Sequence, residues 1–232
     1  MSALRPDPAL GVFETLLALD GRILALDRHL HRLQCSTRDL YGLALPDAIV
    51  TRLRALGPAL APGAHRVRVD AIPRDGRLDC ELSVSPGPPA APRPVALAPL
   101  ALPGGLGAHK WRDRRLLDRP GGHKVPLLVD EHETVLEAAW ANVWIVESDR
   151  LITPPADGRI LPGVTRARLL ALAPEFGFAA AEEPVSLARA AGADGVLLTS
   201  SVRLATPATL GPRLAPTTVA DQIRAWLQSA PC

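Results

Sequence analysis

Two pairs of alternating apolar runs, each folded back on itself by a Gly-containing turn, constrain this chain more than any other feature. Residues 12–26, VFETLLALDGRILAL, read as two strands joined at Asp20-Gly21, a dipeptide that supplies the positive-φ residues of a tight hairpin. HRVRVDAI and RLDCELSVS, joined by a turn at Pro73–Gly76, read as a second hairpin. Helical stripes sit beside them. Leu30, Leu33 and Leu40 share one face of DRHLHRLQCSTRDLYG, with Asp27 placed to cap the helix and Gly42 to stop it. PDAIVTRLRAL predicts a second helix. A Pro/Ala loop follows at 86–94 and a short strand at 95–100. Further strands are expected at 125–130, 142–147, 150–153 and in DGVLLTSS, with helices at 165–177 and 217–228. No βαβ rhythm and no internal repeat is present, so the fold class expected is α+β (α/β mixed). ALPGGLG, at 101–107, reads as a connection between halves. The organisation expected is an N-terminal α+β domain over 1–100, a linker over 101–109 and a C-terminal domain over 110–232.

Composition narrows the function classes. The chain has 232 residues, 47% of them apolar, enough to bury a substantial core. A net charge of only +2 and 3% aromatics argue against a nucleic-acid binder, which needs a basic surface and rings for base stacking. Cys35, Cys80 and Cys232 are scattered singly, with no zinc spacing or disulfide framework, and no metal is expected. No apolar run is long enough to span a bilayer, and MSALRPDPALG has none of the layout of a secretory leader. A soluble, reduced, cytoplasmic protein is the expectation.

Lysine is the next clue. Of 26 Lys and Arg residues only Lys110 and Lys124 are lysines. Lys110 stands in GAHKWRDRRLLDR among Arg112, Arg114 and Arg115. Arg serves nearly everywhere for positive charge, so a lysine here suggests a position that needs a primary amine.

Four other stretches have chemical potential, each with an ordinary structural meaning beside it. In DGRILPGVTRARLLALAPEFG, Gly163 gives a turn and Thr165 is placed to cap a helix whose first N–H groups attract anions; any capped helix has the same look. In ETVLEAAWANVWIV, Glu137 lies among small residues on a sheet edge, near the chain's only asparagine, Asn142; a solvent-facing Glu is the plain alternative. Thr199, Ser200 and Ser201 end an apolar strand as an anion nest or a polar turn. In DRHLHRL, Arg28, His29 and Arg32 share one or two helical turns, suited to phosphate or simply to solvent.

Taken in order, GVFETLLALDGRILALDRHLHRL, HKWRDR, VLEAAWANVWIV, LITPPADGRILPGVTR and LLTSS resemble the fold-type IV pyridoxal-phosphate enzymes. That family includes branched-chain and D-amino-acid aminotransferases and 4-amino-4-deoxychorismate lyases. The resemblance runs from about residue 11 to about residue 210. It implies two domains with pyridoxal 5'-phosphate between them, usually in a homodimer, acting on a small molecule. It makes Lys110 the Schiff-base lysine and Glu137 the partner of the ring nitrogen. It gives the phosphate to Arg32, to the backbone of Val164 and Thr165, and to Ser200 and Ser201. Arg114, Arg203 and Arg74 become candidates for substrate carboxylates.

Within the family, K-x-x-[ND]-R, here Lys110 to Arg114, is most similar to the aminodeoxychorismate lyases, which release pyruvate and 4-aminobenzoate. No tyrosine follows the lysine as in branched-chain enzymes, and Phe13 stands where D-amino-acid enzymes often have Tyr. An aminotransferase acting on branched-chain or D-amino acids is the first alternative, and a non-catalytic interaction protein on the same fold the second. Three departures from the family pattern stand out: a short segment before FET, ALG in place of GDG, and a trimmed stretch at 118–130 in which Gly121 and Gly122 would break a helix.

Overall fold

The computed structural model describes residues 5–88, 93–117, 123–211 and 215–229. Two compact units emerge. The first comprises Met1–Pro89 with His109–Asp118, and the second Ala90–Ala108 with Arg119–Pro231. The Lys110 segment thus clusters with the N-terminal part of the chain. Helix and strand are mixed in two separate sheets, as the sequence implies.

In the first unit, β1 (Val12–Leu19), β2 (Arg22–Ile23), β3 (Ala64–Arg74) and β4 (Arg77–Pro86) form a sheet in the order β2-β1-β3-β4. Both hairpins turn on Asp-Gly. Asp20 and Gly21 have φ of 47° and 81°, and Asp75 and Gly76 of 47° and 73°, the left-handed pair that matches the twist of the flanking strands. Helix α1 (Leu26–Tyr41) lies on the Glu14 face of β1, and α2 (Asp47–Ala59) follows. Gly42 ends α1 with φ 68° as expected, but Asp27 does not cap it. The chain enters through Ala25 in the left-handed region, and Asp27 pairs instead with Arg54 at 3.1 Å.

In the second unit, β5 (Val95–Ala101), β6 (Val125–Val129), β7 (Val135–Ala138), β8 (Asn142–Glu147), β9 (Arg150–Thr153), β10 (Ala179–Glu182), β11 (Gly195–Ser200) and β12 (Leu204–Thr209) form one sheet. Its order is β10-β9-β8-β11-β12-β5-β6-β7. A bridge between Ala138 and Ala141 links the end of β7 to the start of β8, so the sheet curls back on itself. Leu127, Val143, Ile145, Ile152 and Leu198 lie in its apolar core. Helices α3 (Val164–Leu172), α4 (Leu187–Gly192) and α5 (Thr217–Ser229) complete the unit. The single helix expected at 165–177 divides at Ala173, where Pro174 starts a 3-10 turn. The 101–107 stretch is hydrogen-bonded within this unit, Leu102 N–H to Val129 O and Gly107 N–H to Arg159 O. The glycines at 121 and 122 lie outside the described residues, as does part of the 86–94 loop. No described helix is long and apolar enough to cross a membrane.

Candidate active site

In the first unit, the Lys110 backbone is sewn to the start of β1. Phe13 donates its N–H to Lys110 O at 2.9 Å, Arg112 donates to Gly11 O at 3.0 Å, and Val12 pairs with Trp111. This close approach depends on Gly11, at φ 90°, where a Cβ would stand 2.5 Å from Ala71 O. His109 adds a tether, its Nδ1 3.1 Å from the hydroxyl of buried Ser36. The Lys110 ammonium comes to rest 4.8 Å from the centroid of the Phe13 ring.

Phe13 has a second cation against it, the Arg68 guanidinium at 3.9 Å. Register explains this. Phe13 pairs with Asp70 and Thr15 with Arg68, so these side chains share a sheet face. Arg68 grips Asp70 through two 2.7 Å hydrogen bonds, and Arg112 Nε lies 2.7 Å from the same carboxylate. With Lys110, the surroundings of Phe13 hold three cations and one anion. Arg115 is committed to Asp113, whose carboxyl it holds well below the usual carboxylate range. Half-buried Arg114 follows in a loop, where its carbonyl accepts from Leu117 N–H. Arg74 is exposed at the tip of the β3–β4 hairpin, 3.7 Å from Asp79.

On the other face of β1, Arg32 donates from Nε and Nη2 to the two oxygens of Glu14, at 2.7 and 2.9 Å. His29 Nδ1 lies 2.8 Å from Glu14 Oε2. Burial pushes the Glu14 carboxyl up, but Arg32 and His29 together outweigh it and leave it well below the ordinary range. His29 is lowered, chiefly by burial and also by the nearby Arg32 and Lys110 charges, against Glu14, which raises it. Sequence reasoning missed Glu14. Its signal was a lone charge in a strand otherwise apolar, facing a His and an Arg three residues apart on the next helix.

In the second unit, Glu137 is 5% exposed on edge strand β7, so the solvent-facing alternative is set aside. Leu161 N–H reaches both its oxygens at 3.3 Å. Asn142 donates from Nδ2 to Leu161 O at 2.9 Å. Asn142 pairs in register with Thr199 at the end of β11, so one end of the sheet gathers Asn142, Ser200 and the following turn. Ser200 and Ser201 are half-buried there, and Arg203 stacks on Trp140 at 4.9 Å.

Helix α3 begins at the same end. Its N-cap is Gly163 and not Thr165, which sits inside the first turn. Gly163 is required because a Cβ would stand 1.8 Å from Asn142 Oδ1. A glycine cap brings no side chain to the first-turn N–H groups, which have no partner within the helix. Val164 and Thr165 therefore present backbone donors suited to an anion. Among the described residues no cluster of His, Cys, Asp or Glu could hold a metal ion.

Residues 108–210 match the family model for amino-transferase class IV. The fold is similar to that of a fold IV-transaminase from Curtobacterium pusillum, with a TM-score of 0.81 at 24% identity over 95% of this chain and 87% of that one. A 4-amino-4-deoxychorismate lyase from Pseudomonas aeruginosa gives 0.72 at 26% identity, covering 98% and 94%. A hypothetical aminotransferase from Mycobacterium tuberculosis, in its alpha-ketoglutarate and PMP bound form, gives 0.76 at 26% identity, covering 99% and 93%. A "Probable branched-chain-amino-acid aminotransferase" of Staphylococcus epidermidis is 37% identical over 57 residues, 25% of this chain but only 16% of that protein's length. The fold is that of the fold-type IV enzymes. Over residues 108–210 the sequence is also similar to the class IV amino-transferases.

Proposed function

We propose that this protein is a pyridoxal-phosphate-dependent 4-amino-4-deoxychorismate lyase that works as a homodimer and releases pyruvate and 4-aminobenzoate. The observation that carries the reading is the cationic setting of Lys110: Arg68 and Arg112 share Asp70 beside the same Phe13 ring, and Arg114 follows four residues on. A substrate with two carboxylates suits such a setting better than a monocarboxylate amino acid does. The likeness to the Pseudomonas aeruginosa lyase over nearly the whole chain supports it.

The residues present fit the cofactor. A buried carboxylate, Glu137, matches a protonated pyridine nitrogen, and the glycine-capped start of α3 matches a phosphate. When bound, pyridoxal 5'-phosphate supplies an aldehyde that condenses with amines and a ring that takes up an electron pair. Lys110 Nζ would be the amine that holds the aldehyde, and as a free amine it would take the proton from the amine-bearing carbon of the substrate. Glu137 keeps the ring nitrogen protonated. Arg32, the N–H groups of Val164 and Thr165, and the hydroxyls of Ser200 and Ser201 hold the phosphate. Arg114, Arg203 and Arg74 orient the substrate carboxylates. Loss of pyruvate leaves an aromatic ring, which drives the elimination.

An aminotransferase would use the same Lys110 and Glu137 and differ only in where the proton is returned. The local identity to the staphylococcal enzyme favours that second reading. Incubating purified protein with 4-amino-4-deoxychorismate separates the two. Equimolar 4-aminobenzoate and pyruvate are expected. Conversion of branched-chain or D-amino acids with a 2-keto acid, with no 4-aminobenzoate formed, would overturn the lyase reading.

A further inference from the structure

We propose that Glu14 and His29 are positioning residues that fix the orientation of the Arg32 guanidinium toward the cofactor phosphate; this rests on the reading of Arg32 as a phosphate ligand. Glu14 is the one charged residue in β1, a strand buried along nearly its whole length. It is 2% exposed, as is His29. Stability alone does not account for it. Burying a carboxylate and a guanidinium costs desolvation that their attraction barely returns, and an apolar set of similar volume would serve folding as well.

What the arrangement does secure is geometry. A guanidinium on a long side chain has many rotamers, and two parallel hydrogen bonds to one carboxylate leave it a single plane. The Nε–Nη2 edge is the one committed to Glu14. His29 completes the device. By donating from Nδ1 to Oε2, it stops the carboxylate from rotating about its own axis, so the fork cannot drift. His29 and Arg32 lie three residues apart on one face of α1, within reach of the same carboxylate. Each link is local to β1 and α1, so the orientation of Arg32 is set before any ligand arrives.

The test compares binding of pyridoxal 5'-phosphate and of pyridoxal to the full-length protein stripped of cofactor. The ratio of the two affinities isolates the phosphate contribution. Arg32→Met is expected to lower that ratio by about 10- to 100-fold, the scale of one charge-assisted contact. Glu14→Gln is expected to lower it by a similar factor with pyridoxal affinity unchanged. The double variant should bind no worse than Arg32→Met alone, because both act through one group. His29→Asn, which leaves the Glu14–Arg32 pair in place, should lower the ratio by a smaller factor; it decides the matter if Glu14→Gln does not fold. A wild-type ratio in Glu14→Gln or His29→Asn, or equal weakening of both ligands, would overturn the positioning role while leaving Arg32 as a phosphate ligand. A wild-type ratio in Arg32→Met would instead remove the reading of Arg32 itself, and the positioning role with it.

Discussion

Leu161 ties two buried polar side chains together: its N–H faces both oxygens of Glu137, and its carbonyl accepts from Asn142. Two residues further on, Gly163 begins α3 against the same asparagine. One loop therefore sets both the carboxylate assigned to the ring nitrogen and the donors assigned to the phosphate. Glu137→Gln should keep the cofactor bound, since an amide can still meet Leu161 N–H. Turnover should fall by roughly 10²–10⁴-fold, the scale of losing a positioned acid–base group. Steady-state kinetics beside a cofactor titration checks this, and unchanged kcat would contradict it.

Gly163→Ala should be felt at the phosphate. The added methyl would stand 1.8 Å from Asn142 Oδ1, so the loop or the asparagine must move. Overpacking of this kind costs about 1–3 kcal/mol. Urea unfolding should show that loss together with weaker cofactor retention. Asn142→Ala removes the obstructing atom, so Gly163→Ala should cost less in that background. Equal costs in both backgrounds would mean that the contact does not govern the loop.

Lys110→Ala should abolish the yellow colour of the holoprotein and nearly all turnover. Lys110→Arg should fail equally, because a guanidinium stays protonated and cannot condense with an aldehyde. Borohydride reduction followed by peptide mapping should place the covalent adduct on Lys110. An adduct on Lys124 would sink the assignment.

Much of the architecture was open to sequence reasoning because it rests on local chemistry. The Asp20-Gly21 and Asp75-Gly76 turns follow from residues that tolerate positive φ. Strand β12 was not visible, since Pro207 in its middle reads as a breaker, yet it sits buried opposite Leu197. The start of α1 was misjudged because Ala25 takes a left-handed conformation that its sequence does not advertise. At the site, the scarcity of lysine singled out Lys110 without any structure. The roles of Glu137, Val164 and Thr165 came from resemblance. Glu14 was hidden, because its partners come from the next helix and no spacing within β1 announces them.

The Glu14 cluster also predicts how stability responds to acid. His29 is lowered by burial, so its contribution is complete above the unfolded value of about 6.5 and fades as pH falls below it. Glu14 is lowered by Arg32 and His29 against its burial, so its contribution is complete above about 4.3 and is lost as pH falls further. Unfolding free energy should therefore decline in two stages from about pH 6.5 downward. His29→Asn should flatten the upper stage. Glu14→Gln should flatten the lower one, at a neutral-pH cost of roughly 3–5 kcal/mol for breaking a buried pair. Denaturant titrations from pH 7 to pH 3 measure both, and parallel curves for wild type and Glu14→Gln would count against the cluster as an acid-sensitive element.

Arg114 bears most directly on which reaction the protein performs. Arg112 is drawn toward Asp70 and Leu10 O, and Arg115 is committed to Asp113. Arg114 is half-buried in the same loop, four residues after Lys110. The competing surface role, an i,i+4 pair with Asp118, requires a helix. The described residues after Lys110 form a loop and a turn instead, and Asp118 itself lies outside them. Arg114→Ala should therefore raise KM for 4-amino-4-deoxychorismate, with the loss of one charge-assisted contact costing roughly 1.5–3 kcal/mol of binding. The colour of the resting enzyme should not change, since Lys110 and the phosphate donors are untouched. KM for a monocarboxylate amino acid, if any is processed, should move far less. A KM for the chorismate derivative that stays at the wild-type value would leave the dicarboxylate unrecognised at this position. The cationic loop would then offer no support for the lyase over the aminotransferase.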